Sequence, residues 1–233
     1  MKYALTLLVL LSAASVIAAP EHAPRPGGVA IVDIGDAAGN MPEVSWNGRP
    51  VLVMQDGGRW KAVVGIPLDT QPGVVSVTVA GEEREVPVEP HSYAEQRLTV
   101  KNQSYVTPDQ EQLDRIGRER KIIDASLNAF RDEPVVGIGL DAPVDGPRSS
   151  SFGLRRFFND QPRSPHKGMD IAAGSGTPIK APRAGVVSAT GDYFFNGNTV
   201  ILDHGQGYVT MYCHLSEIAV EEGQEVVAGD VLG

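Results

Sequence analysis

The sequence predicts a mainly β protein: a small N-terminal β-sandwich, one connecting α-helix and a C-terminal antiparallel β-sheet. Three observations carry that prediction. Short β-branched runs separated by turn residues fill the stretch from Val29 to Val88. A single capped segment with apolar residues at helical spacing follows. Beyond Val135 the chain returns to short strands punctuated by glycines. With 233 residues, 42% hydrophobic and 21% charged, it can bury two small cores.

The elements follow in order. Residues 1–19 read as a secretory signal peptide: Lys2, an apolar run from Ala4 to Val16, and small residues at Ala18 and Ala19 before Pro20. The apolar run is short for a membrane span, for which ~20 residues are usual. Cleavage near Ala19 is expected, with no membrane anchor left behind, because the only cysteine is the distant Cys213.

Residues 20–90 are expected to form the N-terminal β-sandwich or barrel, from runs at 29–32, 51–54, 62–66 and 74–79. Asn47-Gly48, Asp56-Gly57-Gly58, Pro72-Gly73 and Gly81 supply the turns. Trp46 and Trp60 flank these runs and are assigned to packing rather than to stacking on a sugar ring.

Residues 91–134 form the connection, a strand or loop from Tyr93 to Val106 and then a helix. Thr107-Pro108-Asp109-Gln110 reads as N-cap, first-position proline, early acid and capping-box glutamine. Leu113, Ile116, Ile123, Leu127 and Phe130 make one apolar stripe, and Asp132-Glu133-Pro134 stops the helix. Residues 135–233 form the C-terminal sheet, with strands expected at 149–153, 168–172, 185–190, 198–203, 208–214 and 226–232.

Composition excludes some functions. A formal charge of −9 argues against nucleic-acid binding, which asks for a basic face. Arg155, Arg156, Arg163 and Lys167 make either a locally basic cleft or a solvated strand edge. One cysteine permits no intrachain disulfide, and Cys213, flanked by apolar residues, reads as a buried inert thiol.

Of five histidines, His22 and His91 read as surface residues. His166 and Asp170 stand four positions apart in Pro165-His166-Lys167-Gly168-Met169-Asp170, offering a nitrogen and a carboxylate oxygen to one metal ion. Such a pair alone is a weak signal. Its surroundings are Ser151-Phe152-Gly153-Leu154-Arg155 before it, then Gly176-Thr177-Pro178, Gly185-Val186-Val187, Asp203-His204-Gly205 and Tyr212-Cys213-His214-Leu215-Ser216 after it. This series resembles the lysostaphin-type, LytM-like zinc endopeptidases, which cut peptide bridges of bacterial peptidoglycan. Tyr93, Gln96, Leu98, Thr99 and Val100 resemble, more loosely, the segment that joins an accessory β-domain to the peptidase in exported members.

The resemblance implies zinc as cofactor, His166 and Asp170 as the first two zinc ligands and His214 as the non-ligand catalytic histidine. Amide hydrolysis at neutral pH needs an activated water and a polarised carbonyl, and an imidazole that moves a proton or steadies the oxyanion. His204 reads as a structural strand-end residue. Tyr212 either lines the cleft or points into the core, and Asn159 and Arg163 either contact substrate or fix their loop.

In that family a third ligand and a second catalytic histidine come together as H-x-H beyond a G-D-x-L-G segment. Gly229-Asp230-Val231-Leu232-Gly233 is that segment, and the 233 residues contain no H-x-H. Two protein ligands would hold zinc weakly. The expectation is therefore a peptidase domain truncated before its H-x-H motif, in an incomplete copy of an active enzyme or a shortened gene. The rival expectations are a non-catalytic regulator that activates a cell-wall amidase, or an exported β-rich protein with an incidental His/Asp pair. The leading expectation is a periplasmic or secreted D,D-endopeptidase acting on peptidoglycan cross-links, whose N-terminal domain covers the cleft.

Overall fold

The computed structural model describes residues 20–233; the expected signal peptide lies outside them. Seven strands come first: β1 (Val29–Asp36), β2 (Val44–Trp46), β3 (Arg49–Pro50), β4 (Leu52–Asp56), β5 (Arg59–Gly65), β6 (Gly73–Val79) and β7 (Glu82–Val88). They form two sheets, ordered β1-β5-β4 and β3-β2-β6-β7, with every pairing antiparallel. Alternation decides which side chains turn inward. Ala30, Ile34, Val53, Ala62 and Val64 from one sheet meet Val44, Val77, Val79, Val86 and Val88 from the other in one buried cluster. Trp46 and Trp60 pack against that cluster, which is the role the strand-flanking tryptophans were expected to have.

A short strand, β8 (Glu95–Leu98), leaves this sandwich and runs parallel to a strand of the C-terminal unit. Helix α1 (Gln110–Leu127) follows. The capping chemistry is present but sits two residues later than expected. Asp109 is the N-cap: its carboxylate accepts from the Gln112 N–H at 2.9 Å, and the Gln112 side chain accepts from the Asp109 N–H at 3.1 Å. Thr107 precedes Pro108, whose ring biases it away from helical geometry, so the first acid after the proline takes the cap.

The helix ends at Leu127, well before Pro134, because the Asn128 side chain turns back onto the Asp124 carbonyl. Phe130 therefore lies outside the helix. Within the helix, Leu113 and Leu127 stay 48% and 43% exposed, so the stripe is only partly covered. Among the described residues, no helix is long and apolar enough to cross a membrane.

The C-terminal strands are β9 (Arg148–Ser150), β10 (Arg155–Phe158), β11 (Gln161–Pro162), β12 (Asp170–Ile171), β13 (Gly185–Tyr193), β14 (Gly197–Asp203), β15 (Val209–Leu215) and β16 (Glu225–Val226). The main sheet runs β15-β14-β13-β16. Val200 and Leu202 of its central strand join Val187, Tyr212, Val226 and Leu232 in the second core, while Thr199 and Ile201 are buried on the other face. The strand expected over 226–232 is broken. Only Glu225–Val226 pairs with β13, and a turn follows in which the Asp230 carboxylate accepts from the Val227 N–H and Gly229 adopts φ +94°.

The two β-units meet in a third apolar cluster, where Leu52 and Met54 of β4 pack with Val135, Ile138 and Tyr208. Gln206, 3% exposed, accepts from the Val53 N–H at 2.9 Å. This hydrogen bond satisfies an edge-strand donor that docking has taken out of water.

Candidate metal centre

His166 and Asp170 converge. His166 is fixed at both backbone groups, with its carbonyl accepting from the Gly153 N–H at 2.7 Å and its N–H donating to the Leu154 carbonyl at 2.9 Å. Gly153 adopts φ +84°, and a Cβ there would stand 2.1 Å from the Tyr93 ring, so the turn that holds His166 requires glycine. Asp170 sits on β12, paired with Ser150 of β9. These two short pairings bring His166 Nε2 within 3.1 Å of Asp170 Oδ1.

The tautomer follows from the partners. His166 Nδ1 lies 2.9 Å from the Ser151 carbonyl oxygen, an atom that accepts but does not donate, so Nδ1 carries the proton. In the neutral imidazole, Nε2 then presents its lone pair towards Asp170. Two donors ~2.0–2.2 Å from a tetrahedral zinc ion stand ~3.4 Å apart, so this pair fits a shared cation with a shift of a few tenths of an ångström. A protonated outer nitrogen bound to a carbonyl is the support that metal-ligating histidines commonly have. Asp170 Oδ2 is held separately, 3.4 Å from Arg156 Nη2. Among the described residues, no group of three or more His, Cys, Asp or Glu side chains gathers as a metal site, so the donors here are a pair.

His214 reaches the same region by a different device. The register of β14 and β15 slips between Asn198↔Leu215 and Val200↔Tyr212, which puts an extra residue into β15. His214 is at φ +61° there, and its N–H donates to the Asn196 carbonyl at 2.8 Å. Strict alternation would place His214 on the same face as Tyr212. The bulge turns it out instead, into a groove of about 620 Å³ that it lines with Arg156, Phe158, Phe194, Phe195 and Tyr105.

Three residues expected at substrate have other work in the fold. Tyr212 is 9% exposed in the core, its hydroxyl donating to Thr210 Oγ1 at 2.8 Å, and burial pushes its pKa up to about 12. It does not line the groove, because the bulge lies after it and leaves it facing inward. Asn159 clamps the linker by accepting from the Val100 N–H and donating to the Val100 carbonyl. Arg163 donates to the Val106 carbonyl at 2.7 Å. The basic cleft dissolves in the same way, since Arg155 pairs with Glu95 and Arg156 with Asp170.

His204 is buried and satisfied, Nδ1 against the Ala184 carbonyl and Nε2 against Thr210 Oγ1, each at 2.8 Å. Burial lowers its pKa, as expected for a structural histidine. Burial likewise raises the Cys213 thiol above its ordinary value. Sequence reasoning missed Ser150, Ser151 and Gln96 as supports of the pair. No motif marks them: the serines reach His166 across 15 and 16 residues and Gln96 reaches Arg156 across 60.

The Peptidase family M23 profile matches residues 164–233, and the profile of the Peptidase family M23 N-terminal domain matches residues 22–89. A crystal structure described as a peptidase M23 of Pseudomonas aeruginosa superimposes with a TM-score of 0.74 at 43% identity, covering 90% of this chain and 82% of that one. The protein belongs to peptidase family M23.

Among curated relatives, peptidoglycan DD-endopeptidase ShyA of Vibrio cholerae is 42% identical over 86 residues, which are 36% of this chain and 20% of that protein. DD-carboxypeptidase/endopeptidase Mpg of Neisseria meningitidis is 39% identical over 97 residues, covering 42% and 22% respectively. The chain thus matches about a fifth of the length of these relatives.

Proposed function

We propose that the protein is an exported, zinc-dependent endopeptidase that hydrolyses peptide cross-links of peptidoglycan, in the manner named for its DD-endopeptidase relatives. The observation that carries this reading is His166 Nε2 facing Asp170 Oδ1 at 3.1 Å, with Nδ1 against the Ser151 carbonyl. Zinc bound there would supply a Lewis acid that lowers the pKa of water to roughly 7 and polarises the scissile carbonyl. His166 and Asp170 would hold the ion, and Arg156 holds the second Asp170 oxygen at 3.4 Å. His214, exposed in the groove, accepts a proton from the attacking group or donates to the developing oxyanion. Val100, Asn102, Ser104 and Tyr105 of the linker line the groove beside His214, so the linker restricts entry of substrate. Export to the periplasm or beyond is the corresponding location.

Zinc content of the purified protein, with release of monomeric muropeptides from a cross-linked dimer followed by mass spectrometry, tests the proposal. Zinc binding above that of the variants, and cleavage, both lost in His166→Ala and Asp170→Ala, are expected. Zinc content unchanged in both variants would overturn it. A second reading is a regulator that binds and activates a cell-wall amidase through the groove that His214 lines. Stimulation of an amidase by both the wild type and His166→Ala, with no cleavage by either, would favour it.

A further inference from the structure

We infer that Gln96, carried on the strand that links the two β-units, positions the His166–Asp170 pair through Arg156. This rests on the reading of that pair as metal ligands. Strand β8 pairs with β10 in parallel register, Gln96 opposite Arg156. Gln96 Oε1 accepts from Arg156 Nε at 3.0 Å. Arg156 Nη2 then reaches two groups, Asp170 Oδ2 at 3.4 Å and Ser150 Oγ at 3.3 Å. Ser150 Oγ in turn lies 3.2 Å from His166 Nδ1. One planar guanidinium, on a side chain 22% exposed, therefore touches one ligand directly and the other through a hydroxyl.

Its fork is rigid, so fixing Nε fixes where Nη2 points. Without Gln96 the guanidinium is free to swing towards the groove that it also lines, and Asp170 loses the contact that keeps Oδ1 on the His166 side. Gln96 and Arg156 are positioning residues. Gln96 is neutral and touches neither ligand, so any effect of removing it on metal binding cannot come from charge at the ion.

Titration of the full chain with Co²⁺, read by d–d absorption and dissociation constant, tests the inference. The expected loss is about tenfold for Arg156→Lys, which keeps the charge but not the fork, at the low end of the range for outer-shell partners. Gln96→Ala, one contact further out, should lose about threefold. Gln96→Glu retains an acceptor oxygen and should bind as tightly as wild type or tighter. Wild-type affinity in Gln96→Ala or in Arg156→Lys would overturn the inference, as would Gln96→Glu binding as weakly as Gln96→Ala. Wild-type affinity in His166→Ala is a separate result, which overturns the reading of the ligand pair and this inference with it.

Discussion

Replacing His214 by glycine and by alanine should reverse the order of stability that a strand normally imposes. Glycine inside a strand is destabilising relative to alanine, by roughly 0.5–1 kcal/mol in unfolded-state entropy. At φ +61° a Cβ instead crowds the following carbonyl, at a cost of roughly 1–2 kcal/mol. Both substitutions remove the same exposed imidazole, so the difference between them isolates the backbone. The net expectation is that His214→Gly exceeds His214→Ala by about 0.5–1 kcal/mol, or roughly 1–4 °C in melting temperature for a chain of this size. Thermal and urea denaturation of the two variants measures this directly. An alanine variant as stable as the glycine one, or more so, would refute the bulge that turns His214 into the groove.

Three further outcomes follow from other sites. Gln206→Ala leaves the buried Val53 N–H without its acceptor, ~1–3 kcal/mol, and removes a buried methylene, ~0.8 kcal/mol; a fall in melting temperature of roughly 5–15 °C is expected, and an unchanged value would show that this contact does not hold the two units together. His204 has a folded pKa below its ordinary 6.5, with Arg183, Asp203 and Arg131 as its charged neighbours. The unfolded chain therefore binds more protons between the two values, so stability is complete above pH ~6.5, declines as pH falls towards the folded value and is level below it. His204→Asn should be less stable at every pH but show a shallower decline from pH 7.5 to 5.5, and an equal slope would count against a buried neutral imidazole. Burial raises the Cys213 thiol, so iodoacetamide at pH 8 should label the native protein at least about tenfold more slowly than the urea-unfolded chain, whereas equal rates would place the thiol in solvent.

Much of the fold was legible because period-2 patterning and turn chemistry are local. The strands with alternating valines, such as Val77 and Val79 of β6 and Val86 and Val88 of β7, which share one buried cluster, follow from that pattern. The helix was legible as a capped segment, although the cap fell on Asp109 rather than Thr107, since a proline constrains the residue before it. What alternation cannot show is a place where it breaks. From Tyr212 to His214 the sequence reads as an ordinary strand, and the bulge appears only when β15 is paired with β14. The break of β16 at Val226 was similarly hidden, because Val226, Val227, Val231 and Leu232 look like a strand until Asp230 caps the turn.

The His/Asp pair was marked by its spacing together with the motifs around it, but its support was not, and this bears on how the site holds its shape. β9 and β12 are three and two residues long, and Gly153 and Leu154 hold His166 through single backbone contacts. Elements this short contribute few ladder hydrogen bonds, so they cannot by themselves fix two side chains to the few tenths of an ångström that a shared cation demands. The missing rigidity comes from longer-range contacts: β8 alongside β10, Arg163 on the Val106 carbonyl, and Asn159 on Val100. All three tie the linker to the loops around the pair. Substitutions in the linker should therefore move metal affinity more than they move global stability, whereas substitutions in the two buried cores should do the opposite. A variant that removes a linker contact, such as Asn159→Ala, and lowers melting temperature by several degrees while leaving Co²⁺ affinity untouched would show that the short strands hold the pair unaided.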